Sequence, residues 1–206
     1  MLKVILIRHA ETDWNARGII QGHKDSALTE IGHLQTSALL EELSQKNYPV
    51  ECIYASPLGR TWSMGKVLAE QFRCSLVAES ALKEQAFGQF EGISSAQFTQ
   101  CHRSEAKALF NLDAEYCPPG GESLMHASQR FINFLTNLEK LKRYKTVSIV
   151  SHGHVSQGVL AMLSNGIIEQ FPRYAHPNAS YSVFDMNNGK CETIRWGIAT
   201  HLRNLK

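Results

Sequence analysis

The chain has 206 residues, 43% of them apolar and 19% charged, with a net charge of +2. That composition suits a globular protein with one sizeable core, and so mild a charge argues against a nucleic-acid or membrane-surface partner. The N-terminal apolar run is too short for a signal peptide or a spanning helix, so a cytoplasmic protein is expected.

Val4-Ile5-Leu6-Ile7 reads as a strand buried on both faces, ending in Arg8 and His9. "TEIGHLQTSALLEELSQ" predicts a helix capped by Thr29, with Ile31, Leu34, Ala38, Leu39 and Leu43 facing inward. "VECIYAS" is the next strand. "SPLGRTWSMGKVLAEQF" predicts a helix with Ser56 as cap, Pro57 in the first turn and Arg60 close behind. "CSLVAES" reads as a short edge strand. Residues 94–112 look helical, "CPPGGES" breaks them, and a long helix starts at Glu122 or Ser123. "KTVSIVSHGH" is a buried strand running into His152, and "VSQGVLAML" a helix after it. "SYSVFDMN", the turn Asn187-Asn188-Gly189 and "CETIRWG" make a terminal hairpin.

Strands separated by helices predict an α/β fold of three layers, α/β/α, with a mostly parallel sheet and helices on both faces. Residues 1–206 read as a single domain in which an insertion at about 92–122 covers the carboxyl ends of the strands. Open α/β sheets bind ligands at those ends. The C-terminal hairpin offers a sheet edge, which leaves a homodimer open.

Five cysteines, at 52, 74, 101, 117 and 191, form no CxxC pair. An odd count without ligand spacing predicts neither a disulfide framework nor a metal, and no cofactor is expected. The chemistry lies elsewhere. Two strands end alike, in "LIRH" and "IVSH"; "ASPLGRT" brings Arg60 and "LKEQAFGQFEG" brings Glu84. Two histidines, two arginines and a carboxylate at one end of a sheet suit phosphoryl transfer. Arginine offers a planar fork matched to phosphate oxygens. Fixed cations stabilise the charge of the transition state. A neutral imidazole can attack phosphorus, and a protonated acid can cap the leaving alkoxide. Phe87 and Phe90 are expected to favour a protonated Glu84 by desolvation, while Arg8, Arg60 and a cationic His152 keep His9 neutral. His23, His33, His102, His126, His154, His176 and His201 read as ordinary structural histidines.

In order, "LIRHAETDWN", "QG", "SPLGRT", "LKEQAFGQFEG", "PPGGES" and "VSHG" resemble the motifs of the histidine phosphatase superfamily, from residue 5 to about 155. This phosphoglycerate-mutase-like group holds cofactor-dependent mutases and many small phosphatases of bacterial type. The resemblance implies that His9 becomes phosphohistidine, with Arg8, Arg60 and His152 as the phosphate pocket around it. It makes Asn15 and the Gly153 N–H further donors, Gln21 and Gly22 a lining loop, and Glu84 the proton donor that later activates water. Phe90 stands where the family often has Trp. Mutases of the group have a longer insertion, whereas 33 residues separate Glu84 from Pro118 here, which should admit water. The function implied is metal-independent hydrolysis of a small-molecule phosphomonoester through a phosphohistidine. The alternatives are a cofactor-dependent phosphoglycerate-type mutase and, in another class, an inactive module that binds a phospho-ligand.

Overall fold

The structure, a computed structural model, describes residues 1–205, the side chains of Asn111 and Leu112 excepted. In chain order the main elements are β1 (Leu2–Arg8), α1 (Asp13–Ala16), α2 (Glu30–Gln45), β2 (Cys52–Ala55), α3 (Gly59–Phe72), β3 (Ser75–Ala78), α4 (Ser95–Cys101), α5 (Arg103–Lys107), α6 (Leu124–Leu141), β4 (Thr146–Ser151), α7 (Gly153–Asn165), β5 (Tyr181–Asn187) and β6 (Lys190–Ile198). The strands form one mixed sheet in the order β3-β2-β4-β1-β5-β6. The pairs β3·β2, β2·β4 and β4·β1 are parallel; β1·β5 and β5·β6 are antiparallel.

The apolar run of β1 is buried on both faces because alternate residues serve two cores. Val4 and Leu6 join Phe131, Leu135, Val155 and Val159 on the side of α6 and α7. Ile5 and Ile7 join Leu39, Leu43, Met64 and Leu68 on the side of α2 and α3. The expected three layers follow. A third, smaller cluster of Ile20, Phe87, Phe90, Phe98, Ala106 and Leu109 ties the 92–112 segment to the loops beneath it.

Three details differ from expectation. Helix α2 buries Gly32, Thr36, Leu39 and Leu43, while Ile31 and Leu34 are exposed. The helix is rolled so that Gly32 lies against the Glu11 backbone, where a Cβ would meet the carbonyl oxygen at 2.1 Å. Helix α3 begins at Gly59, and Ser56 does not cap it. Its first N–H groups, at Gly59 and Arg60, donate instead to Asp25, an acid from a distant loop. The helix expected over 94–112 is broken at His102 (φ −131°, ψ 56°) into α4 and α5, and ends in a π turn at Ala108–Leu112. No helix among the described residues is long and apolar enough to cross a membrane.

β1 and β4 are neighbours, yet their connections leave for opposite faces: β1 leads toward α2, β4 into α7. That divergence opens a crevice at their carboxyl ends, the place where such sheets hold ligands.

Candidate active site

Register brings the two histidines together. Arg8, the last residue of β1, pairs with Ser151, the last of β4, so His9 and His152 follow side by side. The His9 N–H donates to the Ser151 carbonyl at 3.0 Å, and the two rings meet edge to face at 5.4 Å. A cavity of ≈ 260 Å³ opens there, lined among others by Arg8, His9, Asn15, Arg60, Glu84 and Gly153. Gln21 and Gly22 also line it. His152 does not: it is fully buried behind His9, its Nε2 2.8 Å from Ser56 Oγ.

The His9 Nδ1–H donates to the Ala10 carbonyl at 2.8 Å, which leaves the lone pair on Nε2. Burial, then Arg60 and Arg8, holds the His9 pKa well below the usual histidine range. The imidazole is therefore neutral near pH 7, as nucleophilic attack requires. His152 is held low as well, by burial first and then Arg60 and His9, so it is a neutral neighbour and not the expected cation.

Arg60 is buried and Arg8 half-buried with its Nε out of solvent, and both guanidiniums face oxygen acceptors. Arg60 donates to the Lys24 and Gly22 carbonyls at 2.8 and 2.7 Å and to Asp25 at 3.1 Å. Arg8 donates to the His176 carbonyl and to Asn178 Oδ1, with no carboxylate bonded to it among the described residues. The Nε of each has no partner among the described residues. Burial pushes both pKa values down, opposed by Glu84 for Arg8 and by Asp25 and then Glu84 for Arg60; arginine nonetheless stays charged in proteins. A buried cation without a full set of counter-charges is a site prepared for an anion.

Asn15 belongs to a capping box with Thr12, which closes α1. Its Oδ1 accepts from Thr12 and from Asn178 Nδ2, leaving its own Nδ2 as a donor on the cavity wall. The Gln21 amide is engaged with Thr12 and Ser26, so it shapes the loop. Asn178 was not singled out from the sequence. It binds Arg8, the His9 carbonyl and Asn15 together.

Glu84 is not in the apolar loop expected from Phe87 and Phe90. Its carboxylate accepts from the Val155, His154 and Gln85 N–H groups at 2.7, 3.0 and 3.0 Å, seated on the N-terminus of α7. Phe87 lines the cavity, but Phe90 packs on Phe98 and His102. Arg130 fixes the loop by donating to the Glu84 and Ala81 carbonyls and to Glu122, which in turn accepts from the Ala86 N–H. Gly88 permits this: at φ +55° it lies so close to the 119–121 turn that a Cβ would meet the Pro119 carbonyl at 2.2 Å. Two histidines read as structural also belong here. His23 Nε2 bonds the Glu84 carbonyl, and His154 lines the cavity.

Comparison with known proteins identifies the family of the chain. Residues 4–199 match the family model of the histidine phosphatase superfamily (branch 1). Phosphoserine phosphatase 1 of Hydrogenobacter thermophilus is 31% identical over 98% of this chain and 95% of its own length. A probable phosphoglycerate mutase of Proteus mirabilis is 30% identical over 97% of this chain and 92% of its own. The solved structure of Bacillus stearothermophilus YhfR superposes with a TM-score of 0.90 at 22% identity, covering 98% of this chain and all of that one.

Proposed function

The chain belongs to the histidine phosphatase superfamily and is a phosphomonoesterase of that type, and from this premise we propose how its own residues divide the work. The phosphate of a small-molecule ester sits among Arg8, Arg60, Asn15 and the Gly153 N–H. His9 Nε2 attacks phosphorus, forming the N–P bond as the bond to the ester oxygen breaks. Glu84 gives the leaving oxygen its proton. A water then attacks the phosphohistidine, Glu84 takes its proton, and His9 departs neutral. His152 supports the attacking ring from behind rather than touching phosphate. Residues 92–122 act as the cover of a single domain. Encounter with a diffusible phosphoester suits a cytoplasmic setting.

One observation carries this reading: a neutral imidazole with a fixed tautomer shares a cavity with two guanidiniums whose buried Nε groups lack partners among the described residues. No metal is needed where two guanidiniums and oriented N–H groups supply the electrostatic stabilisation. The test is phosphate release from a broad phosphoester panel in the presence of chelator, on wild type and His9→Ala. Chelator-resistant release that falls at least about a thousandfold in the variant is expected. Equal turnover by His9→Ala would end the mechanism. The names of the relatives place phosphoserine and phosphoglycerate on the panel. The name of the Proteus relative also favours a second reading, a phosphoglycerate-type mutase; interconversion of phosphoglycerate isomers without free phosphate would select it.

A further inference from the structure

The cavity has more wall than a phosphate needs. Beyond the residues assigned to phosphate chemistry it is lined by Ile19, Ile20, Phe87, Phe110, His154 and Gln157, with Ser95 at the rim. Phe87, Phe110 and His154 form one aromatic group, with ring centroids 5.7 to 6.3 Å apart. Gln157 lies one helical turn after Gly153 on α7, hence on the same face. It is half-buried. His154 is uncharged near neutral pH, because burial holds its pKa down. Its Nδ1–H donates to Gln85 Oε1, whose amide is oriented by the Glu122 carbonyl.

The charges of this wall are telling. Arg8 and Arg60 are the only cations among the described lining residues, and both belong to the phosphate end. The remaining ionisable group besides the histidines is Glu84, a carboxyl, which offers no positive charge in either form. Lys24 is held outside by the Glu91 carbonyl, and Arg103 belongs to a neighbouring groove that shares only Ser95 with the cavity. A carboxylate on the substrate would lose part of its hydration against this wall and find no cation of its own.

We infer that the alcohol part of the substrate is small, uncharged and hydroxylated, a polyol or sugar-like group whose C–H face rests on Phe87 and Phe110 while a hydroxyl bonds the Gln157 amide. The inference rests on the phosphomonoesterase reading and narrows it. An amide both donates and accepts, so it suits a hydroxyl. The aromatic wall suits the carbon face of the same group. Gln157 is thereby a specificity-determining residue.

The experiment compares kcat/KM, with chelator present, for glycerol phosphate, propyl phosphate, phosphoserine and 3-phosphoglycerate, with p-nitrophenyl phosphate as a generic ester. Wild type is expected to favour glycerol phosphate over either carboxylate ester by about tenfold or more. Gln157→Arg is expected to shift the ratio of 3-phosphoglycerate to glycerol phosphate about tenfold toward the acid. Gln157→Met is expected to lower the ratio of glycerol phosphate to propyl phosphate about tenfold. Thermal unfolding of both variants checks that they are folded. A wild-type preference for phosphoserine or 3-phosphoglycerate overturns the inference, and Arg103→Ala then shows whether that arginine supplies the missing cation. Ratios unmoved by both variants also overturn it. Absence of release from all five esters defeats the phosphatase reading itself, and the inference with it.

Discussion

Gly153 has no room for a side chain. A Cβ there would meet Arg8 Cζ at 2.9 Å and Nε at 3.0 Å. Gly153→Ala is therefore expected to push the guanidinium out of line and raise KM for every phosphoester about tenfold, with a smaller effect on kcat. Steady-state kinetics check this, and an unchanged KM would remove Arg8 from phosphate binding. The residues that could be read from the sequence share one property. Arg8, His9 and His152 directly follow apolar strands, and Arg60 opens a helix, so local pattern alone places them at one end of a sheet. Asn178 and Asp25 carry no such local mark. Asn178 acquires its role from contacts with Arg8, His9 and Asn15, and Asp25 from the first turn of α3. No window of neighbouring residues contains those contacts.

Among elements, the join between the Glu84 loop and α6 matters most for turnover. Arg130 is the rivet: three acceptors from the loop and from Glu122 converge on one guanidinium. Arg130→Ala is expected to lower kcat about tenfold and to cost roughly 1–3 kcal/mol of stability, because charge-assisted hydrogen bonds are lost and Glu122 loses its arginine. Arg130→Lys should recover part of the stability but little of kcat, since one ammonium cannot replace the fork. Denaturant unfolding and kcat measured together check this; a full loss of stability with normal kcat would make the rivet purely structural. The sequence placed "PPGGES" as a turn before a long helix, and α6 duly starts with Ser123 as its cap. That the same turn would clamp the Glu84 loop was not legible, because periodicity reports which face is apolar and not what a polar loop meets. Helix α2 shows the converse limit: Ile31 and Leu34 fit an inward stripe, but close contact with the Glu11 backbone admitted only Gly32.

For the whole molecule, four histidines buried in neutral form make stability depend on pH. His9, His152 and His154 are held below the usual range by burial, and His176 is pushed down to about 4 by burial and then Arg8. In the unfolded chain each titrates near ~6.5. Below that pH the unfolded state binds more protons, so the contribution is complete above about 6.5 and is lost as pH falls. Each histidine removes up to about 1.4 kcal/mol per pH unit in that window, which for His176 extends down to about 4. The urea midpoint is expected to drop markedly between pH 7.5 and 5.5, and a flat or rising midpoint would contradict neutral burial. The alternation of strands and helices predicted the layers but not the sheet order, because pairing partners are far apart in the chain. Lys3 pairs with Thr146, and Arg8 with Ser151. That spacing has a consequence during synthesis. His9 leaves the ribosome well over a hundred residues before the strand beside it and the asparagine that steadies it. Long-range parallel pairing is slow to form. A nascent chain that stops short of Asn178 thus carries His9 without its cradle, and hydrolytic power is expected only once that residue has followed.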